Sequence, residues 1–109
     1  MIEIPFSRDM AIAAIQGRKI ATTRSEPKGD CGDIFEIWRP DGPKDFFDEV
    51  PTFRIIDIFP RPLDDVKFMY FRLEGFNTPN DFEKTWRTLH RGHYSGDKEY
   101  YVHFFARIA

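Results

Sequence analysis

The chain has 109 residues, 41% of them hydrophobic and 31% charged, with a formal net charge of −2. That length fits one domain, residues 1–109, because chains divide only well above it, and a domain of this size can fold without a metal or a disulfide. The charge balance excludes a polycation and with it extended binding along duplex DNA, which needs a strongly basic face; a local basic pocket for one nucleotide or a short strand stays open.

The lone cysteine, Cys31, leaves no partner for a disulfide within the chain. No stretch approaches the roughly 18 apolar residues of a membrane span, and residues 1–5 lack the basic and apolar runs of a signal peptide, so cytoplasmic residence without a membrane partner is expected. Twelve phenylalanines in so short a chain suit the core of a small barrel, where few positions fill much volume.

In chain order, Ser7-Arg8-Asp9 opens a short helix. Ser7 can cap its free amides, Asp9 suits its first turn, Ile12 and Ile15 share a face, and Gly17 ends it. Residues 20–24 read as a short β-branched strand, followed by a turn from Ser25 to Cys31 and a strand from Ile34 to Trp38. A polar loop spans Pro40 to Pro51. The next strand, Thr52 to Phe59, is expected to break at Pro60 and Pro62, which cannot donate to a ladder. Residues 63–73 read as a helix with Val66, Met69, Tyr70 and Leu73 in one stripe, stopped by Gly75. A helix over Pro79 to Arg91 has Thr78 as its cap, Pro79 at its first position, Phe82, Trp86 and Leu89 as its buried stripe, and Gly92 after it. The last strand, Tyr100 to Ile108, shows one apolar face of Tyr100, Val102, Phe104, Ala106 and Ile108. This order predicts mixed α/β structure with a mostly antiparallel sheet.

The densest polar cluster runs from Gly17 to Arg24. Thr22 and Arg24, two apart on a strand, leave the same face, and Lys19 lies just before it. An amine, a hydroxyl and a guanidinium together suit an anionic or carbonyl-rich ligand; Lys19 and Arg24 also read as solvated charges guarding a strand edge. Glu74 ends a helix, where the negative pole of the dipole raises a carboxyl pKa and suits a proton shuttle; the plain alternative is an exposed helix-end carboxylate. His90 and His93 lack partners at ligand spacing, so neither metal nor cofactor is expected. His103 reads equally as a core-edge or a cleft residue. Cys31, between Asp30 and Asp33, reads as inert. Trp38, Phe76 and Tyr94 have the chemistry to stack on a base or to fill a core.

Gly17-x-Lys19-x-x-Thr22-x-Arg24, the Gly32-Asp33 strand start, Glu74-Gly75-Phe76, a helix carrying Phe82 and Trp86, and Tyr101-Val102-His103-Phe104 follow one another in an order and spacing that resemble the ASCH domain over nearly the whole chain. The resemblance implies an α+β fold: a PUA-like, mostly antiparallel β-barrel of about five or six strands flanked by three helices. It also implies RNA or a modified nucleoside as partner, held in a cleft beside the signature. One small bacterial branch of the family hydrolyses N4-acetylcytidine with a Lys, a Thr three residues later and a distant Glu, and those positions here hold Lys19, Thr22 and Glu74. By that likeness Lys19 is the base, Thr22 the nucleophile and Glu74 the proton shuttle, with Arg18 and Arg24 binding substrate. Thr22, where many ASCH domains carry Glu, points to the hydrolase branch; the long loop and Glu74-Gly75-Phe76 look more like the broader group. The alternatives are a non-catalytic RNA-binding module and, ranked last, a ribonuclease. Substrate, oligomeric state and the convergence of the three groups stay open at this level.

Overall fold

The structure, a computed structural model, describes residues 2–38 and 51–108. The loop between residues 39 and 50 and the Trp38 side chain lie outside the described residues. Along the chain run β1 (Ile2–Pro5), α1 (Arg8–Ile15), β2 (Ala21–Arg24), β3 (Ile34–Trp38), β4 (Thr52–Pro62), α2 (Leu63–Met69), α3 (Pro79–Leu89) and β5 (Glu99–Arg107). The strands form one sheet in the order β1-β3-β4-β5-β2. β1 pairs with β3 in parallel, and the other pairs are antiparallel.

Among the described residues the expected α+β class, three helices and five strands are found, but the barrel is not closed: β1 and β2 are the two edges of an open sheet. Closure would need a ladder between them, and β1 ends on Pro5, which has no N–H to contribute. A side chain makes the link instead, Arg24 Nη2 donating to the Pro5 carbonyl at 2.8 Å. No helix among the described residues is long and apolar enough to cross a membrane.

Local signals placed most elements correctly. Ser7 and Thr78 cap α1 and α3 by accepting from Met10 N and Asp81 N, and Gly17 takes φ +79° after α1. Four expectations need correction. The buried face of α1 is Ala11, Ala13 and Ala14, with Ile12 and Ile15 half-buried at its flanks, because small side chains let the helix lie close to its neighbours. β4 runs on through Pro60 and Pro62, which face Tyr101 and Glu99 of β5. Leu63 N donates to Lys98 O, so by strand alternation the nitrogens of the two prolines point away from β5, on the side where β3 no longer pairs. α2 stops at Met69, and Met69 and Leu89, each expected in a buried stripe, are exposed. Finally, β5 is buried on both faces rather than one. Tyr100 and Val102 face one cluster and Phe105 another, while Ala106 and Ile108 lie beyond the cover.

Two apolar clusters result. The first joins Ile4, Phe6, Phe35, Ile37, Phe53, Ile55 and Phe105 beneath α1. Phe35, Phe53 and Phe105 meet with ring centroids 5.4–5.5 Å apart, two of the contacts edge-to-face. The second joins Ala21, Leu63, Val66, Phe82, Trp86, Tyr100 and Val102 around α2 and α3.

Candidate functional site

The carbonyl of Leu73 accepts from Ile20 N at 2.8 Å and from Ala21 N at 3.0 Å, which lays the turn after α2 against the start of β2. Residues 19 and 74 are thereby brought side by side. Lys19 Nζ donates to the Glu74 carbonyl at 2.9 Å and lies 3.4 Å from Glu74 Oε1. The other carboxylate oxygen, Oε2, accepts from Thr23 Oγ1 at 3.0 Å. The approach depends on Gly75. Its φ of +98° suits a residue without Cβ, and a Cβ there would lie 3.2 Å from that of Lys19.

Lys19 and Glu74 are only 3% and 4% exposed. Burial pulls the Lys19 amine below its usual pKa, with Arg24 adding to the effect and Glu74 opposing it. Burial lifts the Glu74 carboxyl above its usual range, against the pull of Lys19, Thr23 and Arg24. The two shifts run in opposite directions and bring amine and acid closer in proton affinity. Glu74 is therefore no exposed helix-end carboxylate, and Lys19 no solvated edge charge.

Thr22 is buried as well. Its Oγ1 accepts from Arg24 Nε at 3.1 Å, as the shared strand face predicts, and its own hydrogen stays free to donate. The Arg24 guanidinium lies 5.3 Å from the centroid of Phe6, and Lys19 Nζ 5.8 Å from the same centroid, so one aromatic ring serves both cations.

Lys19, Thr22, Thr23, Arg24 and Glu74 all line a cleft of about 610 Å³. Pro5, Phe6 and Met10 form one wall, and Phe76, Phe82, Trp86 and Leu89 the other. Phe82 and Trp86 thus belong at once to the second core cluster and to the cleft. His90 at the rim stacks on Trp86, centroids 4.1 Å apart and planes 12° from parallel, with Nδ1 2.8 Å from the Trp86 carbonyl.

Arg18 points elsewhere: it is exposed, its Nε donates to Gln16 Oε1 at 2.9 Å, and it is not among the residues lining the cleft. Of the aromatic candidates, Phe76 joins the cleft wall, whereas Tyr94 donates to Asp64 Oδ1 at 2.8 Å. Cys31 is an exposed free thiol 2.6 Å from the Ile56 carbonyl. Among the described residues no cluster of three or more His, Cys, Asp or Glu side chains has the arrangement to hold a metal ion.

Three participants escaped the sequence reading. Thr23 lies on the opposite side of the strand from Thr22 by alternation, yet β2 is an edge strand and both residues border the cleft. Lys28 lay in a turn read only as a connector. His103, left open between core and cleft, is fully buried and ties the other two regions together. Its Nε2 accepts from Lys28 N at 3.0 Å, and its Nδ1 lies 3.0 Å from the Tyr101 carbonyl and 3.2 Å from that of Thr22. Carbonyls only accept and an amide N–H only donates, so the ring is the neutral Nδ1–H tautomer. Burial pulls its pKa down, in agreement with that state.

No family model matches the sequence, and no curated protein matches it. Solved structures do match the fold. An ASCH protein from Zymomonas mobilis superposes with a TM-score of 0.69 at 15% identity, covering 95% of this chain and 65% of its own. An ASCH domain from Lactobacillus crispatus gives 0.69 at 13%, covering 91% and 70%. A protein from Enterococcus faecalis described by the family model DUF984 gives 0.62 at 16%, covering 92% and 67%. The open five-stranded sheet with three helices is thus the fold of an ASCH domain. The chain spans about two thirds of the length of the structures it resembles.

Proposed function

We propose that the cleft receives the base of a modified nucleoside, free or within single-stranded RNA, and that Lys19, Thr22 and Glu74 hydrolyse an acyl amide on it, with N4-acetylcytidine as the type substrate. One observation carries this reading: a desolvated lysine–glutamate pair opens into an aromatic-walled cleft of about 610 Å³, and a threonine hydroxyl lies in the same lining. Pockets of roughly 300–1,000 Å³ suit small organic ligands, and aromatic walls suit a base of any sequence.

In this mechanism the pair starts with the proton on Glu74 and the Lys19 amine neutral. Thr22 Oγ attacks the acyl carbon and Lys19 takes its proton. Glu74 passes its proton to the cytidine nitrogen as the amide C–N bond breaks, leaving the acyl group on Thr22. Water then attacks that ester and gives a proton to Glu74. Lys19 returns a proton to Thr22 Oγ, and acetic acid leaves. Arg24, donating to Thr22 Oγ1, orients the nucleophile and has further N–H groups for the substrate oxygen. Arg18, outside the cleft, is assigned to parts of the substrate that extend beyond it.

The test is incubation of the purified protein with N4-acetylcytidine. Cytidine and acetate are expected in equal amounts, with kcat/KM at least about a hundredfold lower for Thr22→Ala. No release, or release undiminished by that substitution, ends the hydrolytic reading. A second reading, binding without turnover, draws on the fact that the hydrogen bond at Thr22 comes from Arg24 rather than from Lys19 or Glu74. RNA retention that weakens with salt, with no product formed, would favour it.

A further inference from the structure

The cations of the cleft differ in what they have left to give. Lys19 is taken up by the Glu74 carbonyl and carboxylate. Arg24 spends Nε on Thr22 and an Nη2 hydrogen on Pro5, and its remaining N–H groups are assigned above to the acyl oxygen. Arg18 lies outside the cleft and is bonded to Gln16. Lys28 is the exception: it lines the cleft, it is half-buried, and its amine has no hydrogen bond or ion pair among the described residues. The acidic residues in and just after the same turn, Glu26, Asp30 and Asp33, are not among the cleft-lining residues, and the one carboxylate that is, among the described residues, Glu74, is already matched by Lys19 and Thr23.

The backbone of Lys28 is also unusually well fixed for a turn residue. Its N–H is held at 3.0 Å by a fully buried imidazole, and the other ring nitrogen of that imidazole reaches the carbonyl of Thr22. His103 therefore ties the backbone from which the free amine extends to the strand that carries the proposed nucleophile. An uncommitted ammonium, carried on a fixed backbone beside a base-sized cleft, is a site for an anion attached to the base-bearing ligand.

We propose that the ligand of this cleft carries a phosphate next to its nucleoside, that Lys28 is the residue that meets it, and that His103 is a positioning residue that holds Lys28 in place. This rests on the reading of the cleft as a base-binding site and narrows it: the preferred ligand is a nucleotide or an RNA strand rather than a free nucleoside.

Calorimetric titration with cytidine, cytidine 5′-monophosphate, cytidine 3′-monophosphate and a short single-stranded cytidine oligonucleotide tests this. At least one phosphate-bearing ligand is expected to bind about tenfold more tightly than cytidine, the ratio that one charge-assisted hydrogen bond supplies. That advantage, the ratio of the two affinities, should shrink with added salt and vanish in Lys28→Ala. His103→Gln, which keeps an acceptor for the Lys28 N–H, should retain most of the advantage, whereas His103→Leu should lose it while still binding cytidine. Tight binding of a mononucleotide marks a terminal phosphate as the target; tight binding of the oligonucleotide alone marks an internal diester. Equal affinity for cytidine and all phosphorylated forms, or an advantage that survives Lys28→Ala, overturns the proposal and leaves the base-binding reading intact. Binding of none of the four removes both.

Discussion

The two apolar clusters of this small domain are built from similar residues and end differently. Around Phe35, Phe53 and Phe105 every ring finds another ring, and those three are 0–4% exposed. Around Phe82 and Trp86 the packing stops short: Phe76 is half-buried, Leu89 is exposed, and the same aromatic surface continues as the wall of the cleft. The first region is a finished core. The second is a core with one face left over, opposite the buried polar groups of β2. In a chain this size, an open cleft comes from leaving one of the two cores incomplete.

That contrast can be broken in several ways. The largest losses of stability are expected from Phe35→Ala and Glu74→Leu, about 3–5 kcal/mol each by denaturant titration, the first by leaving a cavity and the second by stranding a buried amine. They differ in rescue. Adding Lys19→Met to Glu74→Leu should recover most of the loss, because two apolar side chains then replace the pair; if the double variant is no more stable than Glu74→Leu, the pair is not coupled as described.

Trp86→Ala is expected to weaken base binding by about 1–3 kcal/mol, whereas Phe35→Ala should leave the affinity of the folded fraction unchanged. Equal effects on Kd would erase the distinction between the two cores.

A smaller effect concerns pH. The folded-state pKa of His103 lies below its ordinary 6.5. Between those two values the unfolded chain holds the extra proton, so stability falls as pH drops through that window, at no more than about 1.4 kcal/mol per pH unit. His103→Gln cannot titrate and should flatten this part of the profile; an unchanged slope would assign the proton elsewhere. The smallest change is expected from Arg18→Ala, within about 0.5 kcal/mol in stability, since the side chain is exposed.

What the sequence disclosed follows the range of the forces involved. Ser7, Thr78, Pro79 and Gly17 act within a turn of their own position, and the helices they mark are where spacing put them. Thr22 and Arg24 sharing a face is likewise a two-residue matter. The passage of β4 through Pro60 was hidden because it depends on where β3 stops, a fact about a neighbour. Leu89 and Met69 sat in correct helical stripes, but a stripe says which residues face alike and not how far the opposing surface extends. The Lys19–Glu74 pair was suggested by resemblance to a family pattern rather than by spacing, and the bond from Lys28 to His103, 75 positions apart, had no local signal at all.

The junction that assembles the site is made largely of main chain: two amides, at Ile20 and Ala21, on the single carbonyl of Leu73, with a bare α-carbon at Gly75 beside Lys19. Such a seam is indifferent to most side-chain replacements along it and intolerant of two kinds. A proline at 20 or 21 deletes a donor, and a side chain at 75, where φ is +98°, strains the backbone and crowds the Lys19 Cβ. Anyone reshaping the cleft therefore has room at exposed Leu89 and half-buried Phe76, little at Phe82 and Trp86, which also pack the second core, and almost none at the hinge of backbone that closes behind it.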